Sequence, residues 1–108
     1  MATINATIFK QALHARRIVW RKHALVRMLE RSISRDDITR VLLGNDPIEL
    51  YVDDKPFPSA LFFGSLQGRV IHVVAALDDV SREVHVISAY EPDRAHFEAN
   101  KRIRRRKS

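Results

Sequence analysis

The chain contains no cysteine, so it has no disulfide framework, no thiol nucleophile and no Cys/His zinc pattern. It also lacks an apolar run near the ~18 residues that a membrane helix needs, and a basic-then-apolar leader of the secretory kind. A glycine-rich phosphate loop and a dinucleotide fingerprint are missing too, and no internal repeat is visible. These absences point to a cytoplasmic domain with no membrane segment. Its 108 residues are enough for one core and too few for two. The expected organisation is a single domain over residues 1–100 followed by a basic tail over 101–108.

The formal net charge of +6 is unevenly spread. Residues 1–40 hold nine Lys/Arg against three Asp/Glu, residues 41–100 hold four against ten, and Lys101–Ser108 adds six positive charges and no acid. A neutral body with a basic face, an acidic face and a basic tail would turn its helices and tail toward a polyanion. The same distribution is also what a solvated helix face and a frayed tail would give.

Periodicity divides the chain into helices followed by strands. Ala6, Ile8, Phe9, Ala12 and Leu13 predict an amphipathic helix from about Asn5 to Arg17. A second, from about Trp20 to Glu30, has Ala24, Leu25, Met28 and Leu29 on one side and His23, Arg27 and Glu30 on the other. Ser34 with Asp37 forms a capping box for a third helix, with Ile33 and Ile38 as its hydrophobic staple. That helix should stop near Gly44, which takes the left-handed cap conformation cheaply, and Pro47 blocks its continuation. Strands are then expected over residues 48–52, 59–66, 69–77 and 83–90, joined by short polar turns. Such turns join antiparallel neighbours, so the fold class is α+β: N-terminal helices, a four-stranded antiparallel meander, and a basic C-terminal helix or tail after Pro92.

The polar residues suit RNA cleavage. That chemistry needs a base for the 2′-hydroxyl proton, an acid for the leaving oxygen, and cations for the charge building on phosphate. The RNA supplies its own nucleophile. His23, Arg27 and Arg31 lie four apart along one helix edge, while Tyr51, Asp54, Lys55, His72 and Tyr90 fall on strands or their connecting loop. His23 or His72 could act as acid/base, Tyr51 or Asp54 could assist proton transfer, and Arg27, Arg31 and Lys55 could hold phosphate, arginine with a two-pronged fork. Lys101, Arg102, Arg104, Arg105 and Arg106 would add contacts to the nucleic-acid backbone. His14, His23, His72, His85 and His96 are scattered, so no metal site is assigned, and no cofactor is expected.

Each of these residues also has a plain structural reading. His23 is an exposed or core-edge histidine, Arg27 and Arg31 pair with Glu30 or the acids of the sheet half, Asp54 stabilises its turn, His72 is a hydrogen-bonded strand histidine, and the tyrosines are amphipathic sheet residues.

A family resemblance extends over about Ile18 to Asp93. The run His23-Ala24, Arg27-Met28, Glu30-Arg31, Ile33-Ser34 and Asp37-Ile38 resembles the start of the bacterial domain of unknown function 4258. Ile48-Glu49, Tyr51, Asp53-Asp54-Lys55-Pro56, Pro58-Ser59, Gly68-Arg69, His72-Val73-Val74, Tyr90 and Pro92 resemble the rest of it. That family is distantly similar to the RelE and BrnT ribonuclease toxins, and Ile87-Ser88-Ala89 before a basic C-terminal stretch is similar to the end of a BrnT-type toxin. Tyr90 departs from that pattern, where arginine is expected, and so does the acidic sheet half. The resemblance implies an RNA cleaver neutralised by an antitoxin protein. Three readings follow: a metal-independent endoribonuclease of the toxin type, a non-catalytic nucleic-acid-binding module, and a protein–protein adaptor whose tail orders on an acidic partner.

Overall fold

In the computed structural model, which describes residues 4–92, side chains take up free backbone groups at the starts of two of the three helices. Helix α1 (Ala6–His14) begins on Asn5, whose Oδ1 accepts from the Ile8 N–H at 3.0 Å. Helix α3 (Arg35–Gly44) begins on the expected capping box. Ser34 Oγ accepts from the Asp37 N–H, and Asp37 Oδ2 accepts from the Ser34 N–H, each at 3.0 Å. The Ser34 N–H, acting first, holds the Asp37 carboxyl below the ordinary carboxylate range. Ile33 and Ile38 are both buried in the core, as a staple requires.

The far end of α3 differs from the expectation. Gly44 stays helical and Asn45 is extended, with φ −138°. Asn45 Nδ2 donates to the Val41 carbonyl at 2.9 Å, so a side-chain amide satisfies a terminal carbonyl and no left-handed residue is needed.

Helix α2 (Lys22–Glu30) starts two residues later than the periodicity suggests, because Ile18–Trp20 is a strand, β1. The remaining strands are β2 (Pro47–Tyr51), β3 (Ser59–Leu66), β4 (Arg69–Asp78) and β5 (Glu83–Tyr90). The sheet has five strands in the order β1-β5-β4-β3-β2. Strands β2 to β5 form the expected antiparallel meander, but β1 adds to it in parallel, with Ile18 opposite Val84 and Trp20 opposite Val86. The four-stranded, purely antiparallel description is therefore corrected to a five-stranded mixed sheet. Three residues are too few to show a period, and a parallel pairing 66 positions away leaves no turn signature in the sequence.

Between β3 and β4, Gln67 and Gly68 both have positive φ, 52° and 81°, as a two-residue primed turn demands. The β4–β5 loop is tied down by Asp78 Oδ1, which accepts from the Val80 and Ser81 N–H groups. Arg17 crosses to that loop and donates to the Ser81 and Arg82 carbonyls at 2.9 and 3.2 Å.

Alternation along the strands separates the two faces. Phe62, Ile71, Val73, Ala75, Leu77, Val84 and Val86 share one buried core with Phe9 and Leu13 of α1, Met28 of α2, and Ile38, Val41 and Leu42 of α3. Phe9 stacks on Phe62 with ring centroids 5.3 Å apart. Gly64 lets α3 approach β3 closely, since a Cβ there would lie 2.6 Å from Val41 Cγ2. The other face carries His72, Tyr90 and His85, with Phe57 packed 5.1 Å from the His85 ring. No helix among the described residues is long and apolar enough to cross a membrane. The expected last helix and the basic tail fall at residues 93–108, outside the described residues.

Candidate functional site

Helix α2 packs along β5, burying Ala24 and Met28 and leaving His23 and Arg27 exposed beside the strand. Arg31 caps the helix C-terminus, so His23, Arg27 and Arg31 follow one another at the helical repeat of four. Strand β1 pairs β5 as far as Val86, and beyond that point β5 has no strand neighbour on this edge among the described residues. The gap between the helix and the open strand edge is a cleft of about 290 Å³ lined by His23, Arg27, Arg31, Ser88, Ala89 and Tyr90.

Four of the residues singled out from the sequence therefore meet in one place: His23, Arg27, Arg31 and Tyr90. His72 lies one layer behind. It is 3% exposed, paired across the strands with Tyr90 and Phe63, and its ring stands edge-on to Tyr90 at 5.5 Å and tilted to Phe63 at 5.8 Å. Its ring contacts Tyr90, which lines the cleft.

Tyr51, Asp54 and Lys55 lie elsewhere. Strand β2 is three strand spacings, about 14 Å, from β5. There the Tyr51 hydroxyl donates to Glu49, the Asp54 carboxylate accepts from the buried Ser59 hydroxyl, and Lys55 is exposed in the loop. These three are separate from the cleft. Lys101, Arg102, Arg104, Arg105 and Arg106 fall outside the described residues.

Electrostatically the cleft is cationic although the sheet half of the chain is acidic. Asp53, Asp54, Asp78 and Asp79 gather in the loops at the opposite end of the sheet, about 23 Å along β5 from Tyr90. The carboxylates paired with the cleft arginines are Glu30, 3.7 Å from Arg27, and Glu91, 3.7 Å from Arg31. Both pairs are substantially exposed and hold their arginines weakly. Arg27, Arg31 and His23 bring N–H donors to one opening, a set that can hold an oxyanion, and His23 adds a group that exchanges protons; Ser88 and Tyr90 border the opening from the strand edge.

Sequence reasoning overlooked several residues. Ser88 belongs to the cleft wall and was legible as the neighbour of Tyr90 at strand spacing. Arg69 and Glu91 buttress Arg31 but lie far from it in sequence. Arg21 Nε donates to His85 Nδ1 at 3.3 Å; burial first, and the Arg21 charge second, push the His85 pKa below its ordinary value. Asp78, Glu83 and His85 place possible ligand atoms within 4.8 Å of one another. All three already serve the hairpin: Asp78 takes loop N–H groups, Glu83 the Ser81 hydroxyl, and His85 the Arg21 guanidinium.

Fold and site together define an α+β domain with helices on one face of a mixed sheet and a cationic cleft between a helix and an open strand edge. Residues 20–91 match the family described as a domain of unknown function (DUF4258), and the chain belongs to that family. The matched segment runs from the last residue of β1 to Glu91 and takes in every residue of the cleft. No curated protein is a match to the chain.

Proposed function

We propose that the protein is a metal-independent endoribonuclease of the toxin type, held in check by an antitoxin protein that covers its basic face. The observation that carries this reading is the meeting of His23, Arg27, Arg31 and Tyr90 around one cleft. Arg27 and Arg31 bind the scissile phosphate and stabilise the charge that builds on it. Imidazole both takes and gives a proton near neutral pH, so His23 is the acid/base. As base it removes the 2′-hydroxyl proton; the 2′-oxygen attacks phosphorus, the bond to the 5′-oxygen breaks, and that oxygen takes up the proton that His23 has gained. The products are a 2′,3′-cyclic phosphate and a 5′-hydroxyl end. Tyr90 borders the cleft from the strand edge, and its ring packs against His72 on the other face of the sheet.

The test is cleavage of total RNA by the purified protein in excess chelator. His23→Ala should lower the rate about 10²- to 10⁴-fold. RNA affinity should change little, because both arginines remain. Cleavage that survives the substitution removes His23 as the acid/base. RNA that is bound but never cleaved makes the domain a nucleic-acid-binding module instead.

A further inference from the structure

Beside the cleft, two arginines share one carboxylate. Glu91 Oε2 accepts from Arg69 Nε at 3.1 Å, and Glu91 Oε1 lies 3.7 Å from Arg31 Nη1. Arg69 also donates from Nη2 to the Arg31 carbonyl at 2.6 Å, which locks the two arginines side by side. The primed turn before β4 delivers Arg69 to this place, and Glu91 follows directly on Tyr90 of the cleft.

We propose that Arg31 and Arg69 form a second phosphate subsite next to the cleft, filled by Glu91 until an RNA backbone displaces it. The substrate is then a strand presenting at least two consecutive phosphates. This rests on reading the cleft as the site of the scissile phosphate. A phosphodiester matches the Glu91 carboxylate in charge and offers two free oxygens in place of the carboxylate's two. At 3.7 Å Arg31 stands beyond hydrogen-bonding reach of Glu91, so that half of the bridge is loosely held and open to exchange. The group is open to an incoming strand: the side chains of Arg31, Arg69 and Glu91 are 51%, 34% and 31% exposed. Arg31 belongs to both the cleft and the subsite, so two adjacent phosphates would share it.

The experiment measures binding of 2′-O-methyl oligonucleotides, which the 2′-oxygen cannot cleave, carrying either one or two phosphates, to the full chain at several salt concentrations. In the unsubstituted protein the second phosphate should tighten binding and steepen the salt dependence by about 0.7 in log–log slope. Glu91→Gln, which removes the competing charge at constant shape, should tighten the two-phosphate ligand about fivefold. The one-phosphate ligand, which meets Glu91 only through Arg31, should tighten by less. Arg69→Gln should abolish the step between the two ligands. Equal affinity and slope for both ligands in the unsubstituted protein overturn the proposal, as does a Glu91→Gln chain that binds the longer ligand no better. A protein that shows the phosphate step but cleaves nothing keeps the subsite and loses the ribonuclease reading. One that cleaves without the step does the reverse.

Discussion

His85 illustrates how a single side chain ties stability to pH. It is half-buried on β5, beside Phe57 and Arg21, with Glu83 and Asp78 as the facing carboxylates. Its Nδ1 accepts from Arg21, so protonation would remove that acceptor and set two cations together. Burial and Arg21 lower its pKa against the smaller opposite pull of Glu83 and Asp78. An unfolded histidine takes its proton near pH 6.5, so below about that pH the unfolded chain binds a proton that the folded chain refuses. Stability is therefore complete above ~6.5 and falls as the pH drops through the folded value. Thermal unfolding across this range should show the fall, and His85→Asn, which keeps an acceptor for Arg21 without titrating, should flatten it. An unchanged slope in the variant assigns the fall to another group. Asp37 and Asp78, both lowered by hydrogen bonds, add a separate loss that begins below about pH 4.

At the scale of elements, the packing of α3 on β3 depends on the missing side chain of Gly64. A Cβ there would lie 2.6 and 2.8 Å from the two methyl carbons of Val41, which is itself buried. Gly64→Ala should destabilise the domain by about 1–3 kcal/mol, read from the urea midpoint. Pairing it with Val41→Ala, which vacates the space, should recover part of the loss if the clash is the cause. The third helix was legible at its start because a capping box and staple are local patterns, and β2 to β5 were legible because alternation and tight turns are local too. Strand β1 was not. Its three residues are held by Val84–Val86, and nothing near Ile18 announces that partner. The site followed the same division. His23, Arg27 and Arg31 could be aligned from helical spacing alone, whereas the distance of Tyr51, Asp54 and Lys55 from them depends on strand order, with β1 and β2 at opposite edges. The Glu91 bridge between Arg31 and Arg69 likewise depends on tertiary placement.

For the whole molecule, segment charge describes the sequence but not the surface. Residues 41–100 sum to −6, yet their strand edge at Ser88–Tyr90 borders two arginines and a histidine, because Asp53, Asp54, Asp78 and Asp79 fold to the other end. A polyanion approaching the cleft thus meets the helix charges first. If the protein binds RNA as proposed, the six positive charges of Lys101–Ser108 should add to the attraction. Deleting them should reduce the log–log salt slope of RNA binding by about 0.7 for each phosphate that the tail neutralises. A titration of labelled RNA from low to high salt measures this, and an identical slope for the shortened chain shows that the tail is not an anchor.

The parallel pairing of β1 with β5 also bears on when the site exists. As the chain emerges from the ribosome, His23, Arg27 and Arg31 come out early, but Ser88, Ala89 and Tyr90 come out some sixty residues later, with the strand that also holds β1 in place. A pairing so distant in sequence forms late in folding. A nascent chain that stalls before Ser88 has His23, Arg27 and Arg31 along a helix and no opposite wall, so whatever the cleft does, an unfinished copy does not do it.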